Sequence, residues 1–224
     1  MKISQEELNA LIKNRDLSNA DLFGANLSGV DLSGVNLSDA DLRGANLRNA
    51  NLNGANLRGV DLSMTDLSGC NLCGINLSGA HLAGSILSSA DLSDTDLSGA
   101  MLYGAKLINA NLGGANMRGA DLGNANLTEA KLRGADLRDT NMHQAIFYRA
   151  ELIGANLSNV VLDGSVDLFE ANLSDANLSG ADFSLVSMDG FYLTGKNLRR
   201  VIYNSDTKWP DGFDPIAAGA IITP

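Results

Sequence analysis

A leucine, or a residue close to it, recurs every five residues from Leu17 to Leu162, thirty times without a slip. Two positions before each stands a small residue, most often Ala, and between the two stands Asp or Asn in most units. Asp21-Leu22-Phe23-Gly24-Ala25 runs straight into Asn26-Leu27-Ser28-Gly29-Val30. One extra residue enters within Asp163-Gly164-Ser165-Val166, and the pattern resumes at Leu168 with units that decay toward Tyr203. A fixed short period of this kind marks a repeat architecture, in which each unit buries its apolar side chain only against its neighbours.

A period of five fits neither the helical 3.6 nor the strand period of 2. A continuous helix would spread such leucines around its whole circumference, and a long strand would alternate them between faces. A very short extended piece followed by a turn satisfies the spacing. The leucine and its small companion then point inward together, and the residues between and after them point outward. The second residue after the leucine is Gly in about half the units, with Asn and Asp common in the rest, residue types that accept the positive φ of a tight corner. Four corners close a square of about twenty residues, and squares stacked in parallel at roughly 4.8 Å bury a common axis. That axis is filled by leucine, and crowding around it predicts a small residue at each companion position up to Phe191 and Lys196.

Units such as Ala25-Asn26-Leu27-Ser28-Gly29 and Ala40-Asp41-Leu42-Arg43-Gly44 resemble the A(D/N)LXX repeat of pentapeptide repeat proteins, and the tail Thr207-Lys208-Trp209-Pro210-Asp211-Gly212-Phe213-Asp214-Pro215 resembles tails of cyanobacterial members of that family. The resemblance implies an all-β solenoid, a right-handed quadrilateral parallel β-helix. Residues 15–203 would then form about nine to ten coils, a rod on the order of 45 Å long.

A stacked solenoid exposes core and unpaired backbone at both ends, so its ends require covers. Residues 1–14 are expected to form a helical cap: Ser4 and Glu7 have capping-box spacing, and Ile3, Leu8, Leu11 and Ile12 make an apolar stripe. Residues 204–224 are expected to form a C-terminal capping tail, with Phe191, Tyr192, Tyr203, Trp209 and Phe213 gathered over the last coil. For Trp209 a docking role is the alternative. The slip at 163–166 reads as a one-residue bulge at a corner, with a functional role as its alternative.

The unbroken repeat argues for one domain. No apolar run approaches the roughly 18 residues of a membrane span, and the N-terminus lacks the apolar stretch of a signal peptide. These features point to a cytoplasmic protein with no membrane partner, and the family resemblance implies a bacterial one. A net charge of -10 disfavours nucleic acid as a partner. The charge is banded. Seven carboxylates and no Lys or Arg occupy Glu151 to Asp189, and five lie between Asp61 and Asp96, again without a basic residue; Arg43, Arg48 and Arg58 precede that second stretch, and a basic band of Lys106, Arg118, Lys131, Arg133, Arg138 and Arg149 follows it.

Little in the chain points to chemistry. Cys70-Asn71-Leu72-Cys73 has C-x-x-C spacing, but the repeat frame turns Cys70 inward and Cys73 outward, and no second pair exists to complete a zinc site. His81 and His143 fall about three coils apart, on the order of 14 Å, too far to share a metal or a proton. The stacked carboxylates Asp21, Asp41 and Asp61 read as surface charge. A narrow solenoid without inserted loops offers no water-excluding cleft, and no phosphate loop or nucleophile elbow is present. A non-enzymatic protein without cofactor or metal is expected.

Function is therefore sought in outward positions that depart from the repeat. The residue before the leucine is neither Asp nor Asn at His81, Ile86, Met101 and Lys106, and these fall on two adjacent faces of two neighbouring coils. With Tyr103 and Ile108 they form a partly apolar cluster, a candidate interaction patch for a protein partner; drift at tolerant positions is the alternative. His143, Ile146, Tyr148 and Val161 extend the same faces. The expected function is a monomeric interaction scaffold with an unidentified protein partner. The family resemblance supplies a second class, DNA mimicry toward DNA gyrase as in fluoroquinolone-resistance proteins. The basic band, the lack of looped insertions and the expected caps at both ends weigh against it.

Overall fold

The computed structural model of the chain describes residues 5–163, 165–183, 200–209 and 211–223. Parallel bridges join residues twenty apart, as in Asp21 with Asp41 and Asp91 with Asn111. Each coil therefore has four walls of one five-residue unit each. The leucines fill the axis: Leu22, Leu42, Leu62 and Leu82 are at most 1% exposed, and Phe147 and Phe183 take leucine positions at 0%.

The unit 116–120 shows why five residues suffice. Asn116 donates its N–H to the Thr95 carbonyl at 3.0 Å, and Met117 to Asp136 at 2.8 Å. At the corner Gly119 donates to Arg138 at 2.9 Å, and Ala120 returns to the Met117 carbonyl at 2.9 Å. The remaining N–H, of Arg118, donates to the side-chain oxygen of Asn116 at 3.2 Å. All five donors are satisfied, two along the wall, two at the corner and one by the Asx side chain. At every described corner from Asn19 to Gly180 the second residue after the leucine has a positive φ, which with the return bond to the leucine carbonyl is type II turn geometry.

The companion residues are buried, and most of the polar ones bond to a leucine carbonyl of the coil before. Thr65 Oγ1 donates to Leu42 at 2.8 Å, Thr95 Oγ1 to Leu72 at 2.7 Å, and the Cys70 thiol to Leu47 at 2.8 Å. The expectation of a small companion throughout fails at Ile75, which is only 4% exposed. Its wall is also where pairing breaks. No bridge joins Asn56 to Asn76, whereas Asp96 pairs with both Asn76 and Asn116.

The extra residue changes the spacing of bridges from twenty to twenty-one: Ile146 pairs with Asp167, Glu151 with Asn172 and Val161 with Asp182. Asn141 and Val161 are not bridged, and Val160 follows Thr140 in the companion column beside them. Gly164 itself lies outside the described residues.

At the N-terminus, helix α1 (Gln5–Lys13) sets Leu8 at 5% exposure, with Leu11 and Ile12 packed against the core. Arg15, at φ 58, turns the chain into the ladder at Asp16. Ser4 of the expected capping box lies outside the described residues. At the other end the register changes again. Asn177 pairs with Ile202, and Asp182 with Lys208, so Ile202 occupies the place a constant period gives to Asn197. Strand β1 (Ile202–Tyr203) pairs in parallel with β2 (Ile221–Ile222). Trp209 stacks on Phe183 at 5.4 Å between ring centres and meets Tyr203 edge-on at 5.5 Å and Phe213 at 5.2 Å. Phe191 and Tyr192 lie outside the described residues.

Candidate functional site

The outward position before the leucine has two duties in this fold. Its side-chain oxygen accepts the N–H two residues on, as in Ser63 to Asp61 at 2.9 Å and Gly123 to Asp121 at 3.1 Å. Where Asn follows Asp in a ladder, the amide also donates to the coil before, as in Asn111 to Asp91 at 2.9 Å and Asn141 to Asp121 at 2.8 Å. Asn between carboxylates thus relieves repulsion as a donor. A side chain that is neither Asp nor Asn gives up both bonds.

His81, Ile86, Met101 and Lys106 do this at four corners in two coils. His81 bridges Met101 on one wall and Ile86 bridges Lys106 on the next, so the four form a compact quadrilateral. Asp61 and Asp66 flank it in the coil before, Asp121 and Asn126 in the coil after. Met101 is 38% and Tyr103 54% exposed. His81 and Lys106 are also exposed, while Ile86 and Ile108 are half-buried, so the apolar part is shallower than expected. A Cβ at Gly123 would come 3.1 Å from Tyr103 Cδ2, so that glycine makes room for the ring over the next coil. The arrangement offers aromatic, thioether and aliphatic surface with two basic tips inside an acidic frame.

The second apolar group is more fully engaged. Tyr148 stacks on Phe169 at 5.8 Å, and the Arg149 guanidinium lies 4.9 Å from the Tyr148 ring centre while Nε donates to Glu170 at 2.5 Å. Val161 is 65% exposed. His143 Nδ1 meets an Asp163 carboxylate oxygen, and Ser165 Oγ lies 3.4 Å from that same nitrogen. Asp and Ser on one ring nitrogen cannot form a relay, which needs them on opposite nitrogens. The bonds from Ser165 and His143 hold the Asp163 carboxyl below its usual range.

Cys70 is buried and Cys73 half-buried. Burial pushes the Cys70 thiol up to about 11, which makes it inert as a nucleophile. Among the described residues no three His, Cys, Asp or Glu side chains gather to hold a metal ion, and no helix is long and apolar enough to cross a membrane.

Comparison with known proteins agrees with this geometry. The family described as pentapeptide repeats matches residues 13–39, 36–74, 74–114, 105–144, 125–164, 145–184 and 165–202. The chain is similar to HetL, a pentapeptide repeat protein involved in heterocyst differentiation regulation in the cyanobacterium Nostoc sp. strain PCC 7120. The identity is 30% over 99% of this chain and 92% of that one, with a TM-score of 0.59. It is also similar to a pentapeptide repeat protein of the Arabidopsis thaliana thylakoid lumen, at 30% identity over 57% and 68% of the two chains and a TM-score of 0.26. QnrB1, a plasmid-mediated fluoroquinolone resistance protein, matches at 21% identity over 85% of each chain, with a TM-score of 0.37. No curated protein matches. Pentapeptide repeat proteins are right-handed quadrilateral β-helices, typically structural or interaction proteins and not catalysts. By its unit, its four-walled register, the span of the pentapeptide repeat match and the 30% identity to HetL, the chain belongs to the pentapeptide repeat family.

Proposed function

We propose that the protein is a non-enzymatic, monomeric interaction scaffold of the cytoplasm. Its contact surface is the patch of His81, Ile86, Met101, Tyr103, Lys106 and Ile108, and the partner is a protein. The segment at residues 1–14, which contains helix α1, and the tail at residues 204–224 serve as caps, with the repeat body at 15–203. The supporting observation is that four neighbouring corners forgo Asx closure in favour of apolar and basic groups, at positions where Asp or Asn would stabilise the fold. The similarity to HetL, a protein of differentiation regulation, fits a role exerted by contact.

Affinity capture followed by mass spectrometry tests this reading, run with the native chain and with Ile86→Asn/Met101→Asn. Both substitutions install side chains able to accept the Ser88 and Tyr103 N–H groups, so the variant folds with native circular dichroism. Loss of a partner held by the native chain is the expected result; full retention of every partner by the variant sinks the patch. The charge of -10 motivates gyrase mimicry as a second reading, which predicts inhibition of supercoiling by purified gyrase at micromolar protein.

A further inference from the structure

The rod is parted along one wall. Leu57 and Gly59 donate no N–H to the coil above, and Asn76 and His81 donate none to the coil below, although each position does so in most other coils. The equivalent bonds two coils on are all made: Leu97 to Asn116 at 2.7 Å, Gly99 to Arg118 at 2.9 Å and Asn116 to Thr95 at 3.0 Å. A groove of about 640 Å³ occupies the gap between residues 55–61 and 76–81. The parting reaches into the wall before it, where Gly54 and Asn71 donate no N–H between the coils and Leu52 to Asn71 is stretched to 3.3 Å, and it ends at Leu62 to His81, which is normal at 2.9 Å. Turn bonds within the parted units persist, as in Val60 to Leu57 at 3.2 Å. The units are intact, and only their stacking is lost.

The companion residues supply the cause. Ile75 begins the upper unit, directly above Ala55, and Val60 ends the lower unit beneath Ala80. Both are β-branched, almost fully buried at 4% and 3% exposure, and stand in a column position that the neighbouring coil fills with Ala. Added volume at a packed wall is relieved by backbone displacement. Here the displacement is a wedge propped at both ends, one coil below the Met101 row.

We propose that this seam is a hinge built into the rod, propped open by Ile75 and Val60, at which the N-terminal coils bearing Arg43, Arg48 and Arg58 swing relative to the coils that follow. The inference is independent of any partner at the patch. A solenoid whose walls are all paired bends as one body; this one carries a defined weak plane with native units on either side, so opening there is local.

Hydrogen exchange of the full chain, read residue by residue, tests it. The Leu57, Gly59 and Asn76 amides should exchange at least about 100-fold faster than Leu97, Gly99 and Asn116, their counterparts on the same wall. Equal protection of the two sets overturns the proposal. Val60→Ala and Ile75→Ala, singly, should raise protection of the seam amides by about tenfold or more as the wall closes, although each removes buried side-chain volume. If seam protection falls in both variants the residues are ordinary core and the propping account is wrong. Should Ile75→Ala not fold, Val60→Ala and the native comparison remain decisive.

Discussion

The side-chain amide of Asn111 donates to Asp91 Oδ1 at 2.9 Å across one coil, while its own oxygen accepts the Gly113 N–H at 3.3 Å. Replacing Asn111 with Asp keeps the acceptor and removes the donor. Two carboxylates then face each other at the coil spacing, which costs about 1 kcal/mol in water. Asn111→Asp should lower the thermal midpoint in dilute buffer, and added salt should recover part of the loss. A midpoint unchanged at low salt would show that the amide ladder carries no stability.

Met64 stands at a left-handed corner, φ 59, with its side chain 71% exposed and its sulfur 2.5 Å from where a Cβ on Gly84 would sit. Met64→Gly should stabilise by about 1 kcal/mol, since most corners of this kind are held by Gly, Asn or Asp. Gly84→Ala should destabilise, because its own φ is 65 and the Met64 side chain fills the space above it. Denaturant midpoints of the two variants should move in opposite directions.

Arg138 donates to both carboxylate oxygens of Asp136, with Nη2 2.6 Å from Oδ2. That guanidinium bond, aided by the Arg138 N–H and opposed by partial burial, holds the Asp136 carboxyl below its ordinary value of 3.8. A depressed folded value means that the stabilisation is present above about pH 4 and lost as pH falls through the lower folded value. Asp136→Asn keeps the Asx turn but has no such titration. Its deficit against the native chain, measured by unfolding at pH 7, should therefore shrink toward pH 3; a constant deficit would show that the pair adds nothing.

Trp209 is the only tryptophan, and its ring touches Phe183, Tyr203 and Phe213. Its emission therefore reports on the C-terminal end alone. Trp209→Ala should cost about 2–4 kcal/mol by removing these contacts, with Trp209→Phe recovering most of it. In the native chain, Trp209 emission that shifts before the far-ultraviolet circular dichroism on heating would mark this end as the first to open.

The fold was legible because one period carries it: leucine, small companion and turn residue each recur at fixed offsets, and no other stacking buries them all. The Asx position was read as surface charge, since nothing in Asp or Asn before a leucine reveals a bond to the N–H two residues on. Its signal lay in how rarely that position admits other residues. The patch followed from those exceptions, though Ile86 and Ile108 sit deeper than their outward register implied. The seam was hidden. Val60 satisfies every rule of pattern, Ile75 departs from the small-companion rule by one side chain, and only their volumes against Ala55 and Ala80 separate them from harmless variation. At the C-terminus the step from Asn177 to Ile202 spans 25 residues, so period alone could not place it.

Because the five-residue units repeat one bonding pattern toward the coils on either side, and the ladders before the inserted residue run at intervals of twenty, length is a free parameter of this molecule. Adding or deleting one whole coil leaves every surface column aligned. Adding a single unit rotates everything beyond it by a quarter turn. A lineage of such rods can thus re-aim one face against another by duplication alone, and the columns past the one-residue insertion simply continue at a spacing of twenty-one.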